Sequence, residues 1–246
     1  MKKIIFTLVL ISELSAVAQE TAEPATETKK SNINIGVDVQ SRYIWRGIQL
    51  GGASPSLQPS IEISSGKFVF GAWGAYSTGG ENTGQEADLY ISYSPSDIFS
   101  FTITDYFFPS EGTLNNYFDY DGDTTGHVFE AMVSFAGTEN FPIVLTLATN
   151  FAGTADKDTN GDQAFSTYIE ASYSKTVGDV EYSVFAGAVF ADDAGYYLTD
   201  GSGFINLGFG ISKEVKITNT FSLPVNAALL FNPDQENIYL TFGFSL

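Results

Sequence analysis

The chain has 246 residues, no cysteine, 29 acidic and 11 basic side chains, and a formal net charge of −18. The lack of cysteine excludes a disulfide framework, a thiolate metal site and a cysteine nucleophile, and the acidic balance argues against nucleic acid as a partner, because phosphate binding requires a concentrated basic surface. A content of 21 Phe, 13 Tyr and 24 Gly with few charges is typical of an all-β protein.

The N-terminus has the pattern of a secretory signal peptide. A basic start is followed by a short apolar run at residues 4–11 and by small residues at 16–18, which fit a cleavage site. The apolar run is too short for a membrane span, which requires roughly 20 residues. We therefore expect a signal peptide over 1–18, a flexible periplasmic tail over 19–31 and one β-barrel domain over 32–246.

From residue 33 onward, apolar and polar side chains alternate with a period of two, as they do in β-strands that have one apolar face. The first such segment spans 33–46. Its apolar face consists of Ile33, Ile35, Val37, Val39, Tyr43 and Trp45. The spacing predicts one continuous strand with its aromatic end near a long loop.

Twelve segments of this kind follow one another to the C-terminus. They span residues 33–46, 57–64, 67–77, 86–94, 98–108, 126–135, 141–151, 164–175, 180–190, 203–217, 221–231 and 237–246. The connections between them alternate between short turns and longer loops. An even number of strands with the long loops at one end predicts a closed antiparallel transmembrane β-barrel, whereas a soluble β-sandwich has no reason to place every long loop at one end.

The apolar face is expected to point outward into lipid and the polar face into the lumen; a soluble barrel would have the reverse arrangement. On the predicted lipid face, Asp105 is the one acidic residue. This scarcity of charge supports the assignment, because a basic side chain that faces lipid at the bilayer midplane costs about 2–4 kcal/mol, and an acidic one less. Asp105 therefore requires a partner, a local bulge or a position at the rim.

Several motifs resemble one family of outer-membrane proteins. The segment 41–47 (SRYIWRG), followed by 55–58 (PSLQ), resembles the opening motif of the TorF-like porins. Residues 73–74 (WG) and 104–109 (TDYFFP) are similar to that family too, particularly to its Bacteroidetes branch. The resemblance extends over the mature chain and implies an outer-membrane β-barrel, but it implies little about the substrate.

Charged side chains on the polar face are predicted to line a pore. The candidate pore-lining residues are Asp38, Arg42, Arg46, Glu62, Asp88, Glu130 and Glu170. Two interpretations stay open: opposed charges at a constriction set an ion preference, or the same charges pair as a structural latch, since buried charges must be paired. The excess of acid predicts a preference for cations if the pore is open.

The long outer loops carry most of the remaining acid. In one of them, Asp156, Asp158 and Asn160 match the first half of a calcium-binding loop, D-x-D-x-N-G. Thr167 occupies the place of the bidentate glutamate that would complete it. Calcium is therefore the one candidate cofactor, and a solvated turn is the alternative, because Asp, Asn and Gly are common turn formers.

The sequence predicts a porin-like protein of a Gram-negative outer membrane, with both termini in the periplasm and passive, cation-preferring passage of ions or small solutes. The alternative is a non-conducting structural or surface-interaction barrel. A lipid hydrolase is a remote third hypothesis: His127 is expected to face lipid beside Asp105, but no serine stands beside them, so we expect no enzyme. The expected partners are outer-membrane lipid, lipopolysaccharide and, through the C-terminal strand, the barrel-assembly machinery.

Overall fold

The strands pair in chain order around a closed ring. The structure is a computed structural model that describes residues 32–79, 84–109, 114–190, 193–199 and 201–246; the expected signal peptide and tail lie outside these ranges. Within the described residues, twelve strands form one closed barrel and two more form a separate hairpin. The barrel strands are β1 (Asn32–Gln40), β4 (Ser56–Ser65), β5 (Phe68–Ser77), β6 (Gln85–Tyr93), β7 (Phe99–Phe107), β8 (His127–Phe135), β9 (Val144–Gly153), β10 (Thr167–Val177), β11 (Val180–Val189), β12 (Gly203–Lys216), β13 (Ser222–Asn232) and β14 (Asn237–Ser245), and the hairpin strands are β2 (Tyr43–Trp45) and β3 (Ile48–Leu50).

The alternation of side chains determines which face of each strand is covered. On β7, the large apolar side chains Phe99, Phe101 and Ile103 are exposed on the outside, while Ser100 and Thr102 between them are buried. An apolar outer surface on a closed barrel is stable in lipid and not in water. The prediction of a closed, antiparallel transmembrane barrel of twelve strands is therefore confirmed. No helix in the described ranges has the length and apolar character of a membrane span.

The barrel closes where the first strand meets the last. β1 pairs with β4 over nine residue pairs but with β14 over only three, from Asp38–Ser245 to Gln40–Gly243. The Ser41 N–H then donates to the carbonyl oxygen of Phe242 at 2.8 Å. The closing seam is short because the chain leaves the wall after this residue.

The prediction of one strand over residues 33–46 is wrong beyond residue 40. Tyr43 and Trp45 belong to hairpin β2–β3, in which Trp45 lies opposite Ile48. At its tip, Arg46 and Gly47 have φ angles of 48° and 80°, and a two-residue type I′ turn requires positive φ at both positions.

The two aromatic side chains of this hairpin are buried inside the barrel, with 4% of Tyr43 and 9% of Trp45 exposed, and do not face lipid. The prediction failed because period-two alternation does not distinguish an aromatic face covered by lipid from one covered by other side chains.

Candidate functional site

Hairpin β2–β3 lies across the lumen. The Tyr43 hydroxyl donates to Glu86 of β6 at 2.8 Å, and the side-chain amide of Asn232 of β13 donates to the carbonyl oxygen of Gly47 at 3.1 Å. Five strand-to-strand steps separate β6 from β13 around the ring. A hairpin can reach both walls only from the interior, so it narrows the lumen.

Arg46 at the hairpin tip forms the central ion pair of the lumen. Its guanidinium makes two hydrogen bonds to the Glu130 carboxylate, at 2.5 and 2.8 Å, and a third to the Tyr197 hydroxyl at 2.7 Å. It also lies 4.6 Å from the ring centroid of Trp45 and 4.8 Å from that of Tyr168. Burial raises the pKa of Tyr197, which keeps this hydroxyl neutral beside the cation. The bidentate geometry and the aromatic contacts fix the tip in one position.

The wall is shaped to receive the tip. A methyl group on Gly47 would lie 1.9 Å from the carbonyl oxygen of Ile205, so only glycine allows this close approach. Ile205 is an extra residue in the pairing of β12 with β11, and Phe151 is an extra residue on β9 next to the pairing of Glu130. Such β-bulges redirect side chains, and both occur where the tip contacts the wall.

Two buried carboxyl groups on β6 lie on the other side of the hairpin. Glu86 accepts from Tyr43, and Asp88 accepts weakly from the backbone N–H of Phe107 at 3.4 Å. Within the described ranges, neither group forms an ion pair with a basic side chain.

Two other predicted pore-lining acids have neutral partners. Glu170 accepts from the Tyr168 hydroxyl at 2.5 Å and from the Asn206 amide at 2.9 Å. Glu62 accepts from the Tyr90 hydroxyl at 2.5 Å. These donors are uncharged, and neither carboxyl group forms an ion pair within the described residues.

The two remaining predicted residues lie near the base of the hairpin. The Arg42 guanidinium donates to the side-chain oxygen of Gln49 on the opposite hairpin strand at 2.5 Å. Asp38 is buried on β1. The structure therefore brings Arg46 and Glu130 together, and it holds Arg42 against the hairpin away from that pair.

A small cavity lies beside the hairpin toward the long loops. Its volume is about 130 Å³, and its wall includes Trp45, Glu86, Tyr106 and Tyr196. The rings of Tyr106 and Tyr196 stand edge-on to Trp45, at centroid distances of 6.1 and 6.0 Å. The lining is therefore almost entirely apolar, with four aromatic residues and with Glu86 as its one acidic residue.

Sequence reasoning missed much of this aromatic lining. It assigned Tyr43 and Trp45 to the lipid face, and it did not consider Tyr196 and Tyr197 of a long loop. The signal that could have found the hairpin is the Arg46-Gly47 dipeptide between two short apolar runs, because glycine in this place is typical of a tight turn.

The predicted calcium loop uses its carboxylates within the loop. Asp156 is buried and accepts from the Gln163 amide at 2.6 Å, while Asp158 accepts from the backbone N–H groups of Asn160 and Asp162 at 2.8 and 2.9 Å. These donors lower the pKa of Asp158. Nowhere in the described ranges do three or more His, Cys, Asp or Glu side chains converge as a metal site. Calcium binding by Asp156, Asp158 and Asn160 stays a prediction.

The acid on the lipid face has a partner. His127 Nδ1 lies 2.6 Å from the Asp105 carboxylate, and Nε2 lies 2.6 Å from the carbonyl oxygen of Tyr117. The Tyr120 ring stacks on the imidazole at 4.5 Å, so the loop covers the histidine. Because a carbonyl oxygen only accepts, Nε2 is a donor here and is not placed to take a proton from a serine, as the hydrolase hypothesis requires.

A closed barrel with an apolar outer face and a polar interior defines the class of outer-membrane β-barrels. The chain belongs to the family described as "Bacterial protein of unknown function (Gcw_chp)", which matches residues 21–227. The resemblance to the TorF-like porins stays a prediction.

Two solved structures are similar to this chain. One is the NanC porin, with 9% identity over 86% of this chain and 98% of that chain and a TM-score of 0.46. The other is Wzi of Escherichia coli, an outer-membrane protein involved in group 1 capsule assembly and a carbohydrate-binding β-barrel, with 11% identity over 78% of this chain and 51% of that chain and a TM-score of 0.35. The comparison with curated proteins gives no match.

Proposed function

We propose that this protein is a narrow pore of the outer membrane that passes ions or small solutes and prefers cations. The observation that carries this proposal is hairpin β2–β3 inside a lumen with an excess of buried acid. Glu130 neutralises Arg46, whereas Glu86, Asp88 and Glu170 form no ion pair within the described part of the chain. A narrow passage with a net negative wall attracts cations and repels anions.

The test is ion selectivity in a planar bilayer. The refolded protein is placed in a tenfold KCl gradient, and the reversal potential is measured for the wild type and for the double variant Glu86→Gln/Asp88→Asn. The proposal expects a cation-selective potential that moves toward zero in the double variant. Asp97→Asn, which removes an exposed acid from a short turn outside the lumen, is the matched control and should leave the potential nearly unchanged. A potential that favours anions in the wild type would refute the proposal.

The hairpin also supports a second candidate function, a non-conducting barrel with an internal plug. The bidentate Arg46–Glu130 pair is buried, with 8% and 1% of the two side chains exposed, and a pair of this kind holds the hairpin firmly. Bilayers that stay electrically silent with wild-type protein, shown by circular dichroism to be folded, would favour the plug over the pore.

The cellular setting follows from the same barrel. Its apolar outer face supports a location in the Gram-negative outer membrane, where outer-membrane lipid surrounds it. We further propose periplasmic termini, with the short turns on that side, contact of the acidic outer loops with lipopolysaccharide, and insertion by the barrel-assembly machinery through β14. Protease added to intact cells should then cut the long loops and spare both ends of the chain.

A further inference from the structure

The cavity beside the hairpin has the composition of a binding site. Trp45, Tyr106 and Tyr196 form three of its walls, and the aliphatic side chains of Ile48 and Leu50 extend the apolar lining. At about 130 Å³, it is close to the roughly 150 Å³ of a cavity that accommodates benzene. A ligand of about five heavy atoms therefore fits it.

The polar part of the lining selects the charge of the ligand. Glu86 contributes to the cavity wall and is only 3% exposed, and neither it nor Asp88 forms an ion pair with a basic side chain of the described residues. Arg46 is held by Glu130 and Tyr197 instead. A buried negative charge is stabilised by a cation brought close to it.

The aromatic part selects the kind of cation. An aromatic face attracts a positive charge within about 6 Å of its centroid, and it also packs well against alkyl groups. A hydrated sodium or potassium ion would lose most of its water in such a lining and gain only Glu86 as a ligand. A cation with alkyl substituents satisfies both the rings and the carboxylate.

We propose that this cavity binds a small organic ammonium ion, with the cationic nitrogen near Glu86 and its alkyl groups against Trp45, Tyr106 and Tyr196. The inference deepens the proposed function, on which it rests for its biological meaning, because it names the class of cation held at the constriction. Binding can nevertheless be measured whether or not the barrel conducts.

The intrinsic fluorescence of Trp45 reports occupancy. The chain has only two tryptophans, so Trp73→Phe leaves Trp45 as the one emitter. The refolded variant is titrated with tetramethylammonium chloride in detergent, against sodium chloride at equal ionic strength and against tert-butanol, a neutral molecule of similar size. The proposal expects a saturable change with tetramethylammonium and none with the other two.

Substitutions then locate the site. Glu86→Gln should weaken tetramethylammonium binding about tenfold, and Tyr196→Leu, in a loop outside the barrel wall, should weaken it even if Glu86→Gln does not fold. Asp97→Asn, which removes an exposed acid from a short turn outside the lumen, is the matched control and should bind like the parent. An equal response to tert-butanol or sodium chloride, or unchanged binding in the two cavity variants, would overturn the inference. Binding without conduction would refute the proposed pore and support the binding site. Conduction without binding would support the pore and refute the binding site.

Discussion

The hairpin tip offers the sharpest perturbation of the lumen, the substitution Gly47→Ala. The new methyl group would lie 1.9 Å from the carbonyl oxygen of Ile205 and 2.8 Å from its carbonyl carbon. A carbon–oxygen contact normally requires about 3.3 Å or more, so the tip has to retreat by more than about 1 Å. Such a retreat breaks the hydrogen bond from Asn232 to Gly47 and disturbs the pair between Arg46 and Glu130.

The free-energy cost of Gly47→Ala to the docked hairpin can be estimated from these losses. An L-residue at the φ of 80° costs about 1–2 kcal/mol, and the lost hydrogen bond costs about 0.5–1.5 kcal/mol more. Together these costs come to about 1.5–3.5 kcal/mol, which shifts the balance between docked and undocked hairpin by roughly 10- to 400-fold. Gly66→Ala is the matched control: its φ is 63°, and nothing lies within 4 Å of the added methyl group, so it carries the conformational cost without the clash.

Two measurements follow the hairpin. In the Trp73→Phe background, Gly47→Ala should shift the emission of Trp45 to longer wavelength, because the indole leaves its buried position. In a planar bilayer the same variant should conduct more than the wild type, while Gly66→Ala should match the wild type in both measurements. If Gly47→Ala and Gly66→Ala cannot be told apart in emission and conductance, the hairpin does not constrict the lumen.

Two further predictions concern the outer wall and an outer loop. His127→Ala should lower the free energy of unfolding by about 1–3 kcal/mol, because it leaves the Asp105 carboxylate without its partner. Adding Asp105→Asn to the same chain should recover part of that loss. Urea unfolding in lipid vesicles measures both variants, and strictly additive effects of the two substitutions would contradict the pairing. Because backbone N–H groups lower the pKa of Asp158 below its ordinary value of 3.8, the turn that it caps should be stable above that value and lose amide protection as the pH falls through the lowered pKa. Hydrogen exchange at Asn160 and Asp162 tests this, and loss of protection already at pH 5 would contradict it.

The barrel itself was predictable because each wall strand has a local sequence pattern, the alternation of apolar and polar side chains. The alternation over 203–217 and 237–246 coincides almost fully with β12 (Gly203–Lys216) and β14 (Asn237–Ser245), since each outward side chain meets lipid whatever its neighbours are. Boundaries moved where a loop continues the alternation: the segment predicted at 141–151 is β9, Val144–Gly153.

The interior was less predictable because its contacts are distant in sequence. Alternation assigned Arg46 and Glu130 to the same interior, but their pairing depends on a turn at Gly47 and on a β-bulge opposite Glu130. The contribution of Tyr197 comes from a loop about 150 residues further along the chain. No local pattern encodes contacts of this kind, and whether this interior conducts stays a prediction.

The hairpin that narrows the lumen begins where the first strand leaves the barrel wall. β1 leaves β14 at Ser41, so residues 237–241 of β14 have no β1 partner among the described residues. In this part of the wall, Leu240 and Phe242 are 70% and 66% exposed. Residues 41–46 nevertheless continue the period-two alternation of side chains seen in β1, and this alternation fits a strand in the barrel wall as well as a strand inside the lumen. The constriction and the closing seam therefore depend on the same stretch of chain. A movement of residues 41–46 out of the lumen would place them where they can pair with β14 and lengthen the seam.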